Sequence, residues 1–128
     1  MAVIGTLLEE FQVILKFAHV ILFVIMVDIE RQIEDITKQI VKKYKPQKII
    51  LFGSAARGKF TPDSDLDFFI IKDDSRPGGE RIYDVSGMFE HTIATDVLVY
   101  TPAEIKQCLQ WGDPFVKEIL SSGKVVYG

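Results

Sequence analysis

Residues 51–71 read LFGSAARGKFTPDSDLDFFII, and they predict two strands joined by a polar connection. The first strand, Lys48–Phe52, is short, apolar and β-branched and stops at Gly53, as buried strands commonly do. The second strand is predicted over Asp65 to Ile71, after a loop at 61–63. Because alternate residues of a strand share a face, we expect Asp65 and Asp67 to project together, with Cα atoms about 7 Å apart.

Two carboxylates held side by side on a rigid strand repel each other unless a cation lies between them. Oxygen ligands at this spacing suit Mg²⁺ or Mn²⁺. A third acid, Asp96, lies near the start of an apolar segment that predicts a strand over Thr95–Tyr100. If that strand lies beside the strand bearing Asp65 and Asp67, three carboxylates converge. Solvated acids at two strand ends remain the alternative.

The connection after the first strand has the composition of a phosphate site. Gly53 lets a ligand approach the backbone, and residues 54–58 predict a turn that enters a short helix with free N–H groups. The Ser54 hydroxyl can donate to a phosphate oxygen, and Arg57 adds a cation with forked donors. A phosphate cradle beside a carboxylate pair is the arrangement that a metal-bound triphosphate requires. An ordinary strand–helix turn is the other interpretation.

The rest of the chain alternates predicted helices and strands, which indicates an α/β or α+β fold with a small mixed sheet. An amphipathic helix is predicted from an N-cap at Asp28 to the stop at Pro46, with isoleucines on one face. The later predicted elements are a helix over Glu80 to His91, helices opened by Pro102 and Pro114 with caps Thr101 and Asp113, and a strand over Lys124–Tyr127.

Composition narrows the possible functions of this chain of 128 residues. The formal net charge of -3 argues against nucleic-acid binding by charge alone. Cys108 is the single cysteine, so no intrachain disulfide can form, and a cytoplasmic setting is the natural interpretation. With only His19 and His91 as histidines, a zinc site is not expected, and any metal must be held by carboxylates.

The N-terminal segment differs from the rest, because 14 of the 17 residues in 11–27 are apolar. The exceptions are Gln12, Lys16 and His19. A membrane span needs about 20 apolar residues, and a signal peptide does not usually begin with acids such as Glu9 and Glu10. Three interpretations stay open for residues 1–27. They are a dispensable extension before a domain at 28–128, a helix that packs on the domain or a partner, and membrane contact, which is not favoured.

The pattern Gly-Ser, ten residues, Asp-x-Asp resembles the signature of the nucleotidyltransferase superfamily related to DNA polymerase beta. The flanking LFGS-x-ARG and DSDLD strengthen the resemblance. The later DVLVY and DPFVKEIL-x-x-GKV-x-Y are similar to the minimal nucleotidyltransferases, and the similarity covers about residues 28–128. One departure is the interval between the second and third acids, which has only 28 residues.

The resemblance implies an α+β, polymerase-beta-like core with helices packed on a small mixed sheet. It implies that Gly53, Ser54 and Arg57 bind a triphosphate, and that the catalytic acids Asp65, Asp67 and Asp96 bind Mg²⁺ (or Mn²⁺). The reaction would move a nucleoside monophosphate, AMP from ATP, to a hydroxyl.

Minimal members resemble antitoxins that modify a tyrosine of a helical HEPN-type toxin. A non-catalytic antitoxin or binding module, or an enzyme acting on small molecules, remains an alternative. No direct nucleic-acid partner is expected, and an oligomer is possible.

Overall fold

A computed structural model describes residues 2–61 and 63–128, so Met1 and Pro62 of the predicted 61–63 loop lie outside the described residues. Four helices and four strands follow one another along these described residues. In order they are α1 (Ala2–Tyr44), β1 (Lys48–Phe52), β2 (Leu66–Ile71), α2 (Gly78–Ser86), β3 (Thr95–Tyr100), α3 (Pro102–Trp111), α4 (Pro114–Ser122) and β4 (Lys124–Tyr127).

The first helix does not begin at Asp28, so the predicted N-cap there is wrong. The α1 helix runs without interruption for 43 residues, because no glycine or proline occurs between Gly5 and Pro46. Within it the Asp28 carboxylate accepts hydrogen bonds from Arg31 (2.6 Å) and Gln32 (2.9 Å), as side chains one turn apart on a helix do. The helix ends where predicted, just before Pro46.

The chain divides into two compact units, one up to Gln32 and one from Ile33 to Gly128. In the first unit, every large apolar side chain from Leu7 to Val27 is exposed. In the second unit, the helical residues Ile36 and Ile40 are fully buried. The boundary at 27/28 that the sequence indicates remains a prediction.

The second unit contains a mixed four-stranded sheet in the order β3-β2-β1-β4. The β1 strand pairs antiparallel with β2 and β4, while β2 and β3 run parallel. The predicted α+β fold with a small mixed sheet is therefore confirmed. Alternation along β2 places Leu66, Phe68 and Ile70 on one face, where all three are buried. Asp67 and Phe69 lie on the other face.

The face that carries Asp67 is covered further along the strands by an apolar cluster. Ile50, Phe69 and Ile119 form its buried centre, and the partly buried residues around them come from the sheet and from α3. The Phe69 and Tyr100 rings lie 4.9 Å apart at their centroids. Asp67 and Asp96 thus begin the same sheet face on which α3 and α4 pack.

The helices after β2 agree only in part with the helices predicted from the sequence. The α2 helix ends at Ser86, not at the predicted His91, because Gly87 caps it and the buried Phe89 lies beyond its end. The predicted caps of the last two helices are confirmed. Thr101 forms a capping box with Glu104, and Asp113 accepts hydrogen bonds from the first N–H groups of α4.

Candidate active site

Two of the three predicted acids are neighbours across the parallel strand pair. Asp67 is in register with Asp96 on β3 and with Phe52 on β1. Adjacent strands lie about 4.8 Å apart, and residues in register project from the same face. Asp67 is half-buried, whereas Asp96 is exposed. Parallel pairing therefore brings together two carboxylates that are far apart in the sequence.

Asp65 lies in the loop just before β2, so the expectation that it stands on the strand is wrong. Its charge nevertheless acts on the same site. Burial raises the pKa of Asp67, and the charges of Asp96 and Asp65 raise it further. A carboxylate whose ionisation is disfavoured by two neighbouring acids makes a site at which a bound cation relieves the repulsion.

Gly53 ends β1 directly against the Asp67 carboxylate. Its φ of 76° lies in the left-handed region that favours glycine. A Cβ atom at this position would lie well inside van der Waals contact of Asp67 Oδ2 and 3.3 Å from Asp67 Cγ. Glycine is thus required both by the backbone and by the close approach of the carboxylate.

Residues 54–59 form a compact turn, so the predicted short helix after Gly53 is not observed. The Ser54 carbonyl accepts hydrogen bonds from the N–H groups of Arg57 (3.2 Å) and Lys59 (2.9 Å), and Gly58 has a φ of 69°. This closure bends the chain back before a second helical turn can form. Without a helix, no helix dipole contributes, and any phosphate must be bound by the turn's own N–H groups, the Ser54 hydroxyl and the exposed Arg57.

A cavity of about 260 Å³ adjoins this turn on the side of α4. It is bounded by Gly53, Ala56 and Arg57 from the turn and by residues of α4. Sequence reasoning missed the α4 contribution from Phe115, Glu118 and Ser122. Their spacing of three and four residues after the Asp113 cap is the signal that places them on one helix face. The Phe115 ring meets the Phe52 ring edge to face, with centroids 5.9 Å apart.

The three acids supply the type of ligand that a divalent cation prefers, but they do not lie close enough together to form a complete metal site. Carboxylate oxygens are the ligands that Mg²⁺ and Mn²⁺ prefer. In the described part of the chain, however, no group of three or more His, Cys, Asp or Glu side chains is close enough to form a metal site. Asp67 and Asp96 are therefore the best-placed pair, with Asp65 near enough to act through its charge.

Comparison with known proteins identifies the family of this chain. The family model described as polymerase beta, nucleotidyltransferase matches residues 27–128. A provisionally named protein adenylyltransferase of Methanocaldococcus jannaschii is 28% identical over 102 residues, which are 77% of this chain and 97% of that protein.

The crystal structure of a provisionally named nucleotidyltransferase from Sulfolobus solfataricus shares the fold. The TM-score is 0.52 at 20% identity, over 64% of this chain and 75% of that one. The family match includes the turn at Gly53 and all three acids. The chain therefore belongs to the polymerase beta nucleotidyltransferase family and is a nucleotidyltransferase.

Proposed function

We propose that the chain transfers AMP from ATP to a hydroxyl group, with Asp65, Asp67 and Asp96 as the metal-binding and catalytic acids. The observation that carries this proposal is the register of Asp67 with Asp96 beside the Gly53 turn. This register places a pair of mutually repelling carboxylates beside a backbone turn that can bind phosphate. The name of the Methanocaldococcus jannaschii relative supports adenylyl transfer and a protein acceptor.

In this proposal the turn at residues 54–59 binds the outgoing phosphates. Gly53 lets the Asp67 carboxylate lie directly beside this turn, the Ser54 hydroxyl donates to a phosphate oxygen, and Arg57 balances negative charge. The acceptor oxygen attacks the α-phosphorus, the bond from that phosphorus to the bridging oxygen breaks, and pyrophosphate leaves. The exposed Asp96 carboxylate lies at the mouth of the site, where it can take the acceptor's proton.

Asp65, Asp67 and Asp96 would hold Mg²⁺ or Mn²⁺. When bound, the ion neutralises the charge that develops on the transferred phosphoryl group and polarises the acceptor oxygen. Asp67 is the residue whose position is fixed most firmly, because β1 and β3 flank it and Gly53 lies against its carboxylate.

The acceptor that we propose is a protein hydroxyl, specifically a tyrosine of a helical HEPN-type partner, which would make the chain an antitoxin. Support comes from the resemblance of the sequence to minimal nucleotidyltransferases and from the name of the relative. Co-expression with the product of the neighbouring open reading frame tests this role if that product is a helical HEPN-type protein. A mass increase of one AMP on a partner tyrosine is expected, and an unmodified but tightly bound partner would favour a non-catalytic antitoxin.

The central test is the Asp67→Asn variant with labelled ATP and Mg²⁺. The amide keeps the size of the carboxylate but removes one charge, so AMP transfer should fall about a thousandfold or more while the fold persists. Stability should hold or rise slightly, because one of the mutually repelling acids is gone.

Asp63→Asn is the matched control, since Asp63 is an exposed acid in the neighbouring turn. It should retain most of the activity. A chelator should abolish transfer by the parent protein. Full activity of Asp67→Asn, or activity that persists in chelator, would refute the roles given to the acids and favour a binding module.

A further inference from the structure

The largest unexplained surface is the apolar part of α1, defined here as the 11–27 segment. Its eight consecutive apolar residues Val20–Val27 are each between 47% and 69% exposed. Eight residues make more than two helical turns, so no face of this stretch is polar. A helix about 10 Å wide and 26 Å long has roughly 800 Å² of side surface. That is more apolar surface than soluble monomers usually expose in one patch.

We infer that the 11–27 segment inserts into a lipid bilayer and anchors the nucleotidyltransferase domain to a membrane. The helical stretch Gly5–Tyr44 contains an 18-residue window that is apolar enough to cross a membrane, and only 6% of that window is buried. The core helix of a soluble protein can have the same composition, but such a helix is mostly buried. A helix that docks on one protein surface needs only one apolar face, whereas lipid contacts all of them.

The polar residues within and just before the segment are compatible with insertion. Glu9, Gln12, Lys16 and His19 follow spacings of three, four and three, so they share one helix face. Lys16 lies about 9 Å along the helix from Glu10. Since helical side chains lean toward the N-terminus, its long stem can carry the ammonium group to the membrane surface on that side.

The flanking charges specify an orientation. Residues 1–10 contain no lysine or arginine but include Glu9 and Glu10. Residues 28–45 contain five cations, Arg31, Lys38, Lys42, Lys43 and Lys45, and also four acids, which contribute little to orientation. Basic residues beside a membrane helix mark its cytoplasmic side. The domain would therefore lie on the cytoplasmic side, where ATP is available, with residues 1–10 on the opposite side.

Flotation of the full-length chain with vesicles of phosphatidylcholine and phosphatidylglycerol tests the inference. The parent protein should float with the vesicles and resist extraction with alkaline carbonate. The variant Leu15→Glu/Leu22→Glu adds two charges seven residues apart on one exposed side, and its floating fraction should fall about tenfold or more. Lys38→Glu makes the same change of charge at an exposed position outside the segment and should float like the parent.

If the 11–27 segment contacts something other than the interior of a bilayer, these experiments give a different result. Each such result would overturn the inference. A chain that stays off vesicles and forms an oligomer that Leu15→Glu/Leu22→Glu dissociates would show that a second copy covers the segment. Release from vesicles by carbonate or high salt would show surface attachment without insertion. Cellular protein that lacks the segment would identify a cleaved signal sequence. Activity of each variant on ATP reports separately on the proposed function.

Orientation is measured with Gly5→Cys in a Cys108→Ser background. Among the described residues, no heavy atom beyond the chain neighbours and the helix's own backbone lies within 4 Å of a Cβ added at Gly5, so the new thiol should be tolerated. In intact cells a membrane-impermeant maleimide should label it from outside. Labelling only after the cells are opened would refute the proposed orientation.

Discussion

Replacing Gly53 with alanine should separate the stability of the domain from the position of its central carboxylate. Two effects act on this residue. Its φ of 76° is costly for a residue with a Cβ atom, by about 1–2 kcal/mol. The new Cβ would also collide with Asp67 Oδ2, and the flexible carboxylate, not the backbone, is the group that can move.

The matched control is Gly58→Ala. Gly58 has a similar φ of 69°, but among the described residues no heavy atom beyond its chain neighbours lies within 4 Å of a Cβ added there. It therefore carries the same backbone cost of about 1–2 kcal/mol without the collision. In a domain of this size, each kcal/mol lowers the melting temperature by about 4–8 °C, so both variants should melt at similarly reduced temperatures.

Activity should distinguish the two variants. A displacement of about 1 Å in a reacting group can cost about a hundredfold in rate, so Gly53→Ala should lose at least that much AMP transfer. Gly58→Ala lies in the same turn but does not displace Asp67, so it should lose much less activity than Gly53→Ala below its melting temperature. The measurements are thermal unfolding and transfer from labelled ATP. Equal activity in the two alanine variants would refute the idea that Gly53 sets the position of Asp67 for catalysis.

Two further predictions concern the fold away from the site. Hydrogen bonds from the Arg76 guanidinium and the Tyr44 hydroxyl hold the pKa of Asp74 well below its usual range. The ionised carboxylate therefore stabilises the fold above about pH 4, and this stabilisation is lost as the pH falls further. Asp74→Asn should therefore lower the free energy of unfolding by about 1–3 kcal/mol at neutral pH, and urea titrations should show the difference from the parent shrinking in acid. A chain that begins at Met26 keeps the buried helix residues Ile36, Ile40 and Tyr44 and should melt cooperatively, whereas aggregation or a broad melt in calorimetry would show that residues 1–25 belong to the core.

The elements that sequence reasoning placed correctly depend on local interactions. Sequence reasoning gave the correct positions for the strand Thr95–Tyr100 and for the helix caps Thr101 and Asp113. A cap is a local feature, because its side chain bonds to backbone groups within three or four residues. The β4 strand, Lys124–Tyr127, also follows directly from a glycine stop and a short apolar run.

The errors occur where a local signal competes with its surroundings. Asp28 has the identity of an N-cap, but strong helix formers on both sides carry α1 through it. The periodic Ile82, Val85 and Phe89 suggested one helix, yet Gly87 ends α2 and Phe89 is buried from the following loop. In neither case does the residue pattern alone show which influence prevails.

The candidate site depends on a property that no single segment contains. The Gly-Ser and Asp-x-Asp spacing can be read within residues 51–71, but Asp96 joins the site only because β3 pairs parallel with β2 in one register. A shift of one residue would place Asp96 beside Leu66 or Phe68 and point it to the other face of the sheet. Burial of Val97 and Val99 opposes that shift, because both would exchange faces with exposed or half-exposed neighbours. The apolar alternation of β3 thus fixes the register, and the register in turn sets the carboxylate pair that we propose for catalysis.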